Sequence, residues 1–269
     1  MSITCLCYST MMTMTGCGRE LCGLPCCTVI HGDCNDYLWM LYSGIDIVLT
    51  DPPYGMNFVS GFRKETYAPI VGDDHLPTET IQKLISIPRL GSYFFCRWDN
   101  LWDHGALPKP KSVITWLKPG GFIGDIYHEH GRTSELALFY AGQEHAFKKR
   151  PSDAIDMRDK QIQIPWLDVV DESKTRSNLH PTEKPVKLIK QMLQWYDFDT
   201  VLDPYMGSGT TALAAMSYGR NSDGTPKKHF LGFEVDDVHF ATARNRINMQ
   251  RGIVGNDPDS SQPTLDFSS

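Results

Sequence analysis

At 269 residues, with 41% hydrophobic and 22% charged, the chain has the composition of an ordinary globular protein able to bury a real core. No apolar run approaches the ~20 residues needed to span a bilayer, and the N-terminus lacks the basic segment and apolar core of a secretory signal, so an intracellular protein is expected. The formal net charge of -6 excludes a chain that is basic overall; as a basic footprint only local clusters remain, Arg63-Lys64, Lys148-Lys149-Arg150 and Lys227-Lys228.

Seven of the eight cysteines fall within the first 34 residues. Their spacing does not match paired C-x2-C knuckles, and without a secretory context a disulfide framework is not expected either. Residues 1–27 therefore read as a poorly ordered leader rich in Cys, Thr and Met, with no metal assigned. Thr28 to His31 has the pattern of a short strand, and Gly32-Asp33 turns into a helix running to Leu41. The apolar run Ile45, Ile47, Val48, Leu49 predicts a strand buried on both faces. It runs into Asp51-Pro52-Pro53-Tyr54-Gly55. Neither proline can donate to a sheet ladder, so this acid and aromatic form a stiff loop at the carboxyl end of a strand, where open α/β sheets hold their ligands. A carboxylate, a backbone carbonyl and an aromatic ring held together suit a flat guest bearing an amine.

A polar stretch follows to Pro77. Next come a helix over 79–87, a strand from Ser92 to Cys96, a short helix near Asp99 to His104 and a strand from Ser112 to Trp116. Lys118-Pro-Gly-Gly121 is a turn signal, and Glu135 to Tyr140 is strand-like. Residues 141–184 show no clear periodicity. Pro185 is placed to start a helix, with Val186, Leu188, Ile189, Met192 and Leu193 at helical spacing. A strand at Thr200 to Leu202 leads through Asp203-Pro204-Tyr205-Met206-Gly207-Ser208-Gly209-Thr210 into a helix over Thr210 to Tyr218. The glycines allow close backbone approach and the helix start offers free N–H groups. A strand from His229 to Phe233 then meets Glu234, where nucleotide-binding βαβ units place the acid that takes ribose hydroxyls, and a helix spans Asp236 to Arg251. The alternation predicts an α/β fold with a mostly parallel, doubly wound sheet in one domain, residues 28–251. The tail, 252–269, is polar and reads as disordered.

Asp-Pro-Pro-Tyr, then His180-Pro-Thr-Glu-Lys-Pro185, then Asp-Pro-Tyr-Met-Gly-Ser-Gly-Thr-Thr, in that order, resembles the permuted (β-class) DNA amino-methyltransferases, the N-4/N-6 DNA methylases. The likeness runs from about Val29 to Arg251. It implies a circularly permuted, Rossmann-like fold that uses S-adenosyl-L-methionine to methylate an exocyclic amine in double-stranded DNA, as in restriction–modification. Similar protein-glutamine and ribosomal-RNA methyltransferases usually carry Asn-Pro-Pro-Tyr after the glycines, the reverse of the order here. Asp51 in the first motif position favours adenine N-6, since cytosine N-4 enzymes of the family more often begin it with Ser. Cytosine methylation, or a catalytically inactive DNA-binding module, are the alternatives.

By the same resemblance, Asp51, Pro52, Pro53 and Tyr54 would receive a flipped-out base. The cofactor would lie among Asp33, Cys34, His180, Thr182, Lys184, Pro185, Asp203, Pro204, Tyr205, Gly207, Ser208, Gly209, Thr210 and Glu234. Tyr205 departs from the commoner Phe. Target recognition falls to an insert of about 144–178 or to the loop Asn57–Asp74, with Arg63, Lys64, Lys148, Lys149, Arg150 and Arg176 as DNA contacts. In the tail, Gln262, Leu265 and Phe267 resemble the peptides by which bacterial replication proteins dock on the sliding clamp.

Overall fold

A computed structural model describes residues 3–5, 27–41, 44–55, 76–98, 101, 105–118, 128, 130–131, 133–147, 169–171, 183–219, 222 and 227–250. These build one sheet of nine strands and four α-helices. The strands are β1 (Ile3–Cys5), β2 (Cys27–His31), β3 (Ile47–Thr50), β4 (Gly91–Cys96), β5 (Ser112–Leu117), β6 (Ser134–Ala141), β7 (Val169–Asp171), β8 (Thr200–Asp203) and β9 (His229–Glu234). The helices are α1 (Thr78–Ser86), α2 (Val186–Leu193), α3 (Thr210–Met216) and α4 (Asp237–Gln250). Across the sheet the order is β1-β2-β9-β8-β3-β4-β6-β5-β7. Pairing is antiparallel at β1–β2, β4–β6 and β6–β5 and parallel elsewhere. So β1 and β6 run against the other strands, and the expected mostly parallel sheet is what forms.

Both faces are covered, as continuous apolar strands demand. In β4, Tyr93 and Phe95 point to the face packed by Leu188 and Met192 of α2, Ala212 of α3 and Ile247 of α4. Phe94 and Cys96 point to the other face, against Ile81 and Leu84 of α1. Each such fully buried Leu or Phe contributes about 1.5–3 kcal/mol. The path β3–α1–β4 thus crosses one face and β8–α3–β9 the other, while β3 and β8 lie side by side, Ile47 opposite Val201. Their carboxyl ends bound the crevice at the switch point of the fold.

Several local expectations change. The helix foreseen after Asp33 is instead two 3-10 turns, Cys34–Asp36 and Leu38–Met40, closed by Tyr37 N–H to Cys34 O and Leu41 N–H to Leu38 O. Asp33 caps the first, accepting the Asn35 N–H at 2.8 Å, and the tighter path buries Tyr37, Leu38 and Leu41. Pro185 stands one residue before α2, not in its first turn, because its ψ of 136° is extended. Within the stretch read as aperiodic, Val169–Asp171 forms β7, three residues too short to show a period. The leader contributes β1 and Cys27 to the sheet. The segments Asn57–Asp74, most of 144–178 and the tail with Gln262, Leu265 and Phe267 lie outside the described residues. No described helix is long and apolar enough to cross a membrane.

Candidate active site

Because β2, β9, β8, β3, β4 and β5 share one direction, their carboxyl ends meet along one edge, joined by the amino end of reversed β6. Along that edge stand Asp33, Glu234, Asp203, Asp51, Lys118 and Glu135, drawn from six elements.

Asp203, at the end of β8, is buried and joins the two sides of the crevice. The Thr50 hydroxyl, at the end of β3, donates to it at 2.6 Å, and the Tyr205 N–H at 3.3 Å. The Thr211 hydroxyl bonds it as well. Burial raises its pKa to about 6 against the relief of these donors. A folded-state pKa above the unfolded value means stability present at low pH and lost as pH rises through about 6. Asp203→Asn, neutral throughout, is therefore expected to be more stable than wild type at pH 8 by about 1–3 kcal/mol, the gain vanishing below about pH 4. Thermal melts across that range check it; a gain that persists at pH 4 would assign the effect to packing.

Glu234 ends β9 with both carboxylate oxygens engaged: Oε2 accepts the Gly207 N–H and Oε1 the Asp236 N–H, each at 2.9 Å. Its pKa is raised by burial, with those two N–H groups opposing. Gly209 sits at φ +81°, and a Cβ there would lie 3.1 Å from the Ala243 side chain, so the turn into α3 needs glycine twice over. At Gly207, φ +51°, a Cβ would meet nothing within 4 Å, which leaves its backbone open to an approaching group. Arg246 of α4 ties the loop down, donating at 2.7 Å to both the carbonyl and the hydroxyl of Ser208 and pairing with Glu183. Beside Tyr205, the Cys34 thiol is buried and pushed up to about 12, by burial first and then by the Asp33 charge, so no thiolate forms. The Tyr205 hydroxyl, absent from the commoner Phe, bonds Cys34 and Thr80.

On the other side, Asp51 follows β3 directly. Its Oδ1 accepts from the Tyr54 hydroxyl and its Oδ2 from Lys184 Nζ. Lys184 also lies 3.3 Å from Glu135 Oε2 and 5.0 Å from the centre of the Phe95 ring. Glu135 Oε1 in turn pairs with Lys118, whose Nζ lies 4.7 Å from the Trp116 ring centre. Burial alone would lower the Lys184 pKa, but the Asp51 and Glu135 carboxylates hold it above its usual value. Burial would raise Glu135, and Lys184 and Lys118 bring it below the usual carboxylate range. Burial and the neighbouring carboxylates keep the Tyr54 phenol well above its ordinary value, so it stays neutral.

The structure thus brings Asp51 and Tyr54 together and sets the Asp203–Thr210 loop and Glu234 on the strands beside them. Pro52, Pro185 and Pro204 are buried supports. Lys184, expected at the amino-acid end of a cofactor, is turned onto Asp51. His180, Thr182, Arg63, Lys64, Lys148, Lys149, Arg150 and Arg176 lie outside the described residues. Glu135, Lys118 and Arg246 escaped sequence reasoning, while Glu183 entered it only as part of the motif His180–Pro185 with no role of its own. For Glu135 alone there was a signal: a single acid in the otherwise uncharged strand Ser134–Ala141.

A family model described as DNA methylase matches residues 103–245. YubD of Escherichia coli (strain K12), a protein named as a methylase, is 26% identical over 246 residues, covering 85% of this chain and 95% of that one. Among solved structures, the M1.HpyAVI–SAM complex aligns with a TM-score of 0.55 at 22% identity, over 82% of this chain and 99% of its own. The cytosine-N4-specific PvuII DNA methyltransferase aligns with a TM-score of 0.55 at 14% identity, over 84% and 92%. At these identities the structural likeness speaks to the fold.

Proposed function

The chain belongs to the DNA methylase family, whose model matches more than half of its length, and we propose that it transfers a methyl group from S-adenosylmethionine to the N-6 amine of adenine in DNA. One observation carries this reading. Asp51 and Tyr54 leave β3 beside the glycine loop that leaves β8, across the crevice closed by Thr50 and Asp203. An amine acceptor and a nucleotide-type loop therefore face one cleft.

The residues present fit the cofactor. Glu234 has a fixed carboxylate for ribose hydroxyls, with Asp33 exposed at the end of the neighbouring strand. The Gly207 backbone is open to close approach. M1.HpyAVI, of the same fold, is solved as a complex with SAM. When bound, S-adenosylmethionine supplies an electrophilic methyl group on a sulfonium.

The exocyclic amine is a weak nucleophile because its lone pair is delocalised into the ring. Asp51 accepts its N–H and orients the nitrogen, which favours a more tetrahedral geometry with the lone pair freed; the N–C bond would form as the S–CH3 bond breaks, and the proton that the methylated amine sheds would leave to solvent. The neutral Tyr54 ring offers a stacking face without adding a second anion. The rate gain is orientation and placed charge, with no covalent intermediate on the protein.

Adenine is the choice because the motif opens with Asp51. The test is transfer of labelled methyl from S-adenosylmethionine to unmethylated DNA, followed by digestion to nucleosides and mass spectrometry. N6-methyldeoxyadenosine is expected. N4-methyldeoxycytidine would reverse the choice of base, as the likeness to the PvuII fold allows. Absence of both from folded protein that binds DNA would favour the inactive binding module.

A further inference from the structure

Resting on the methyl-transfer reading of the same site, we infer that Glu135 and Lys118 are positioning residues: together they hold Lys184 between two carboxylates and so set how Asp51 presents its charge to the base amine. Four charged groups alternate in sign, Asp51, Lys184, Glu135, Lys118. Lys184 and Lys118 are buried, at 7% and 6% side-chain exposure, while Asp51 and Glu135 are partly open at 27% and 21%. Among the described residues the two acids and two bases balance, as buried charges require.

The geometry has a fixed end and a movable end. Glu135 lies on β6 directly opposite Trp116 of β5, and Lys118 follows β5 with its N–H on the Thr133 carbonyl at 2.7 Å. These two belong to the sheet framework. Lys184 belongs to the segment before α2, 133 residues from Asp51 in the chain. A lysine stem is flexible and its ammonium has three donors. Without Glu135 that ammonium would shift further onto the carboxylate that must accept the base.

Sharing matters because both Asp51 oxygens are already engaged, by Tyr54 and by Lys184. A carboxylate has about four acceptor sites on two oxygens, so an amine N–H can join only if neither partner monopolises it. Glu135 takes part of the Lys184 charge and leaves Asp51 a stronger acceptor for the incoming N–H. Asp203 across the crevice and Cys96 at the end of β4 complete the polar surroundings of the pair Asp51–Tyr54.

The experiment compares wild type with Glu135→Gln, Lys118→Met, the double variant carrying both changes, and Glu135→Asp. Melting temperature, cofactor Kd by calorimetry and kcat for methyl transfer are read on each. Either neutralising single variant unbalances the cluster by one charge and should lose stability, and Glu135→Gln should lose turnover as well. The double variant removes the outer pair together, so its melting temperature should return close to wild type while kcat stays at least about tenfold down. Glu135→Asp keeps the charge but withdraws it by one methylene; melting should hold while kcat falls by about tenfold. In both, cofactor Kd should stay within a few-fold. Recovery of kcat together with stability in the double variant, or full turnover in Glu135→Asp, overturns the inference and leaves the outer pair a structural role. A folded wild-type protein that transfers no methyl group removes the reading of the site and the inference with it.

Discussion

Asp51→Ala is expected to lower methyl transfer by about a thousandfold, the scale on which a preorganised polar contact to the reacting centre acts. Cofactor Kd should change only a few-fold, since the proposed partner of Asp51 is the base amine and not the methyl donor. The variant also deprives Lys184 of one of its two carboxylates, leaving it to Glu135 alone. A few degrees of lost melting temperature should accompany the lost activity, so Asp51→Asn is the control that keeps the shape. Single-turnover transfer with both variants, beside calorimetry of the cofactor, checks the assignment. Turnover within tenfold of wild type in Asp51→Ala would place the acceptor elsewhere.

Glu234→Ala should weaken S-adenosylmethionine by on the order of ten- to a hundredfold, the worth of one charge-assisted hydrogen bond of about 1.5–3 kcal/mol. The effect has two routes. One is the lost partner for the ribose hydroxyls; the other is the lost acceptor of the Gly207 and Asp236 N–H groups, which now shape the loop. Ribose-lacking analogues such as methionine separate them: if only the ribose contact matters, their binding is unchanged by the substitution. Because burial raises the Glu234 pKa, the carboxylate takes its proton at higher pH than an ordinary glutamate, and cofactor affinity should fall on mild acidification. In Glu234→Ala that pH dependence should flatten. Unchanged cofactor affinity in the variant would move the ribose contact to another residue.

Much of the site was legible because its signals are local. Asp51-Pro-Pro-Tyr54 announces a strand end followed by a stiff loop, and the described loop begins where the strand stops at Thr50. Asp203 and Glu234 close β8 and β9 as foreseen, since apolar runs of four to six residues bounded by turn residues leave few other strand ends. The turn after β2 was misjudged for the same local reason: a polar-apolar run of nine residues fits a short helix and a pair of 3-10 turns equally well.

The chain order of the motifs, the glycines at Gly207 and Gly209 and the acids at successive strand ends were determined by sequence alone, because turn chemistry, side-chain period and backbone freedom depend only on near neighbours. Tertiary structure alone decided that Lys184 faces Asp51, that Glu135 and Lys118 stand behind it, and that Arg246 and Glu183 brace the glycine loop. Those pairings join β5, β6, α4 and the segments before α2 and after β3, whose relative places follow from strand order and the reversal of β6. A charge becomes a partner only when the sheet register brings another within reach and burial removes the water between them, and neither condition is written in any short stretch of chain.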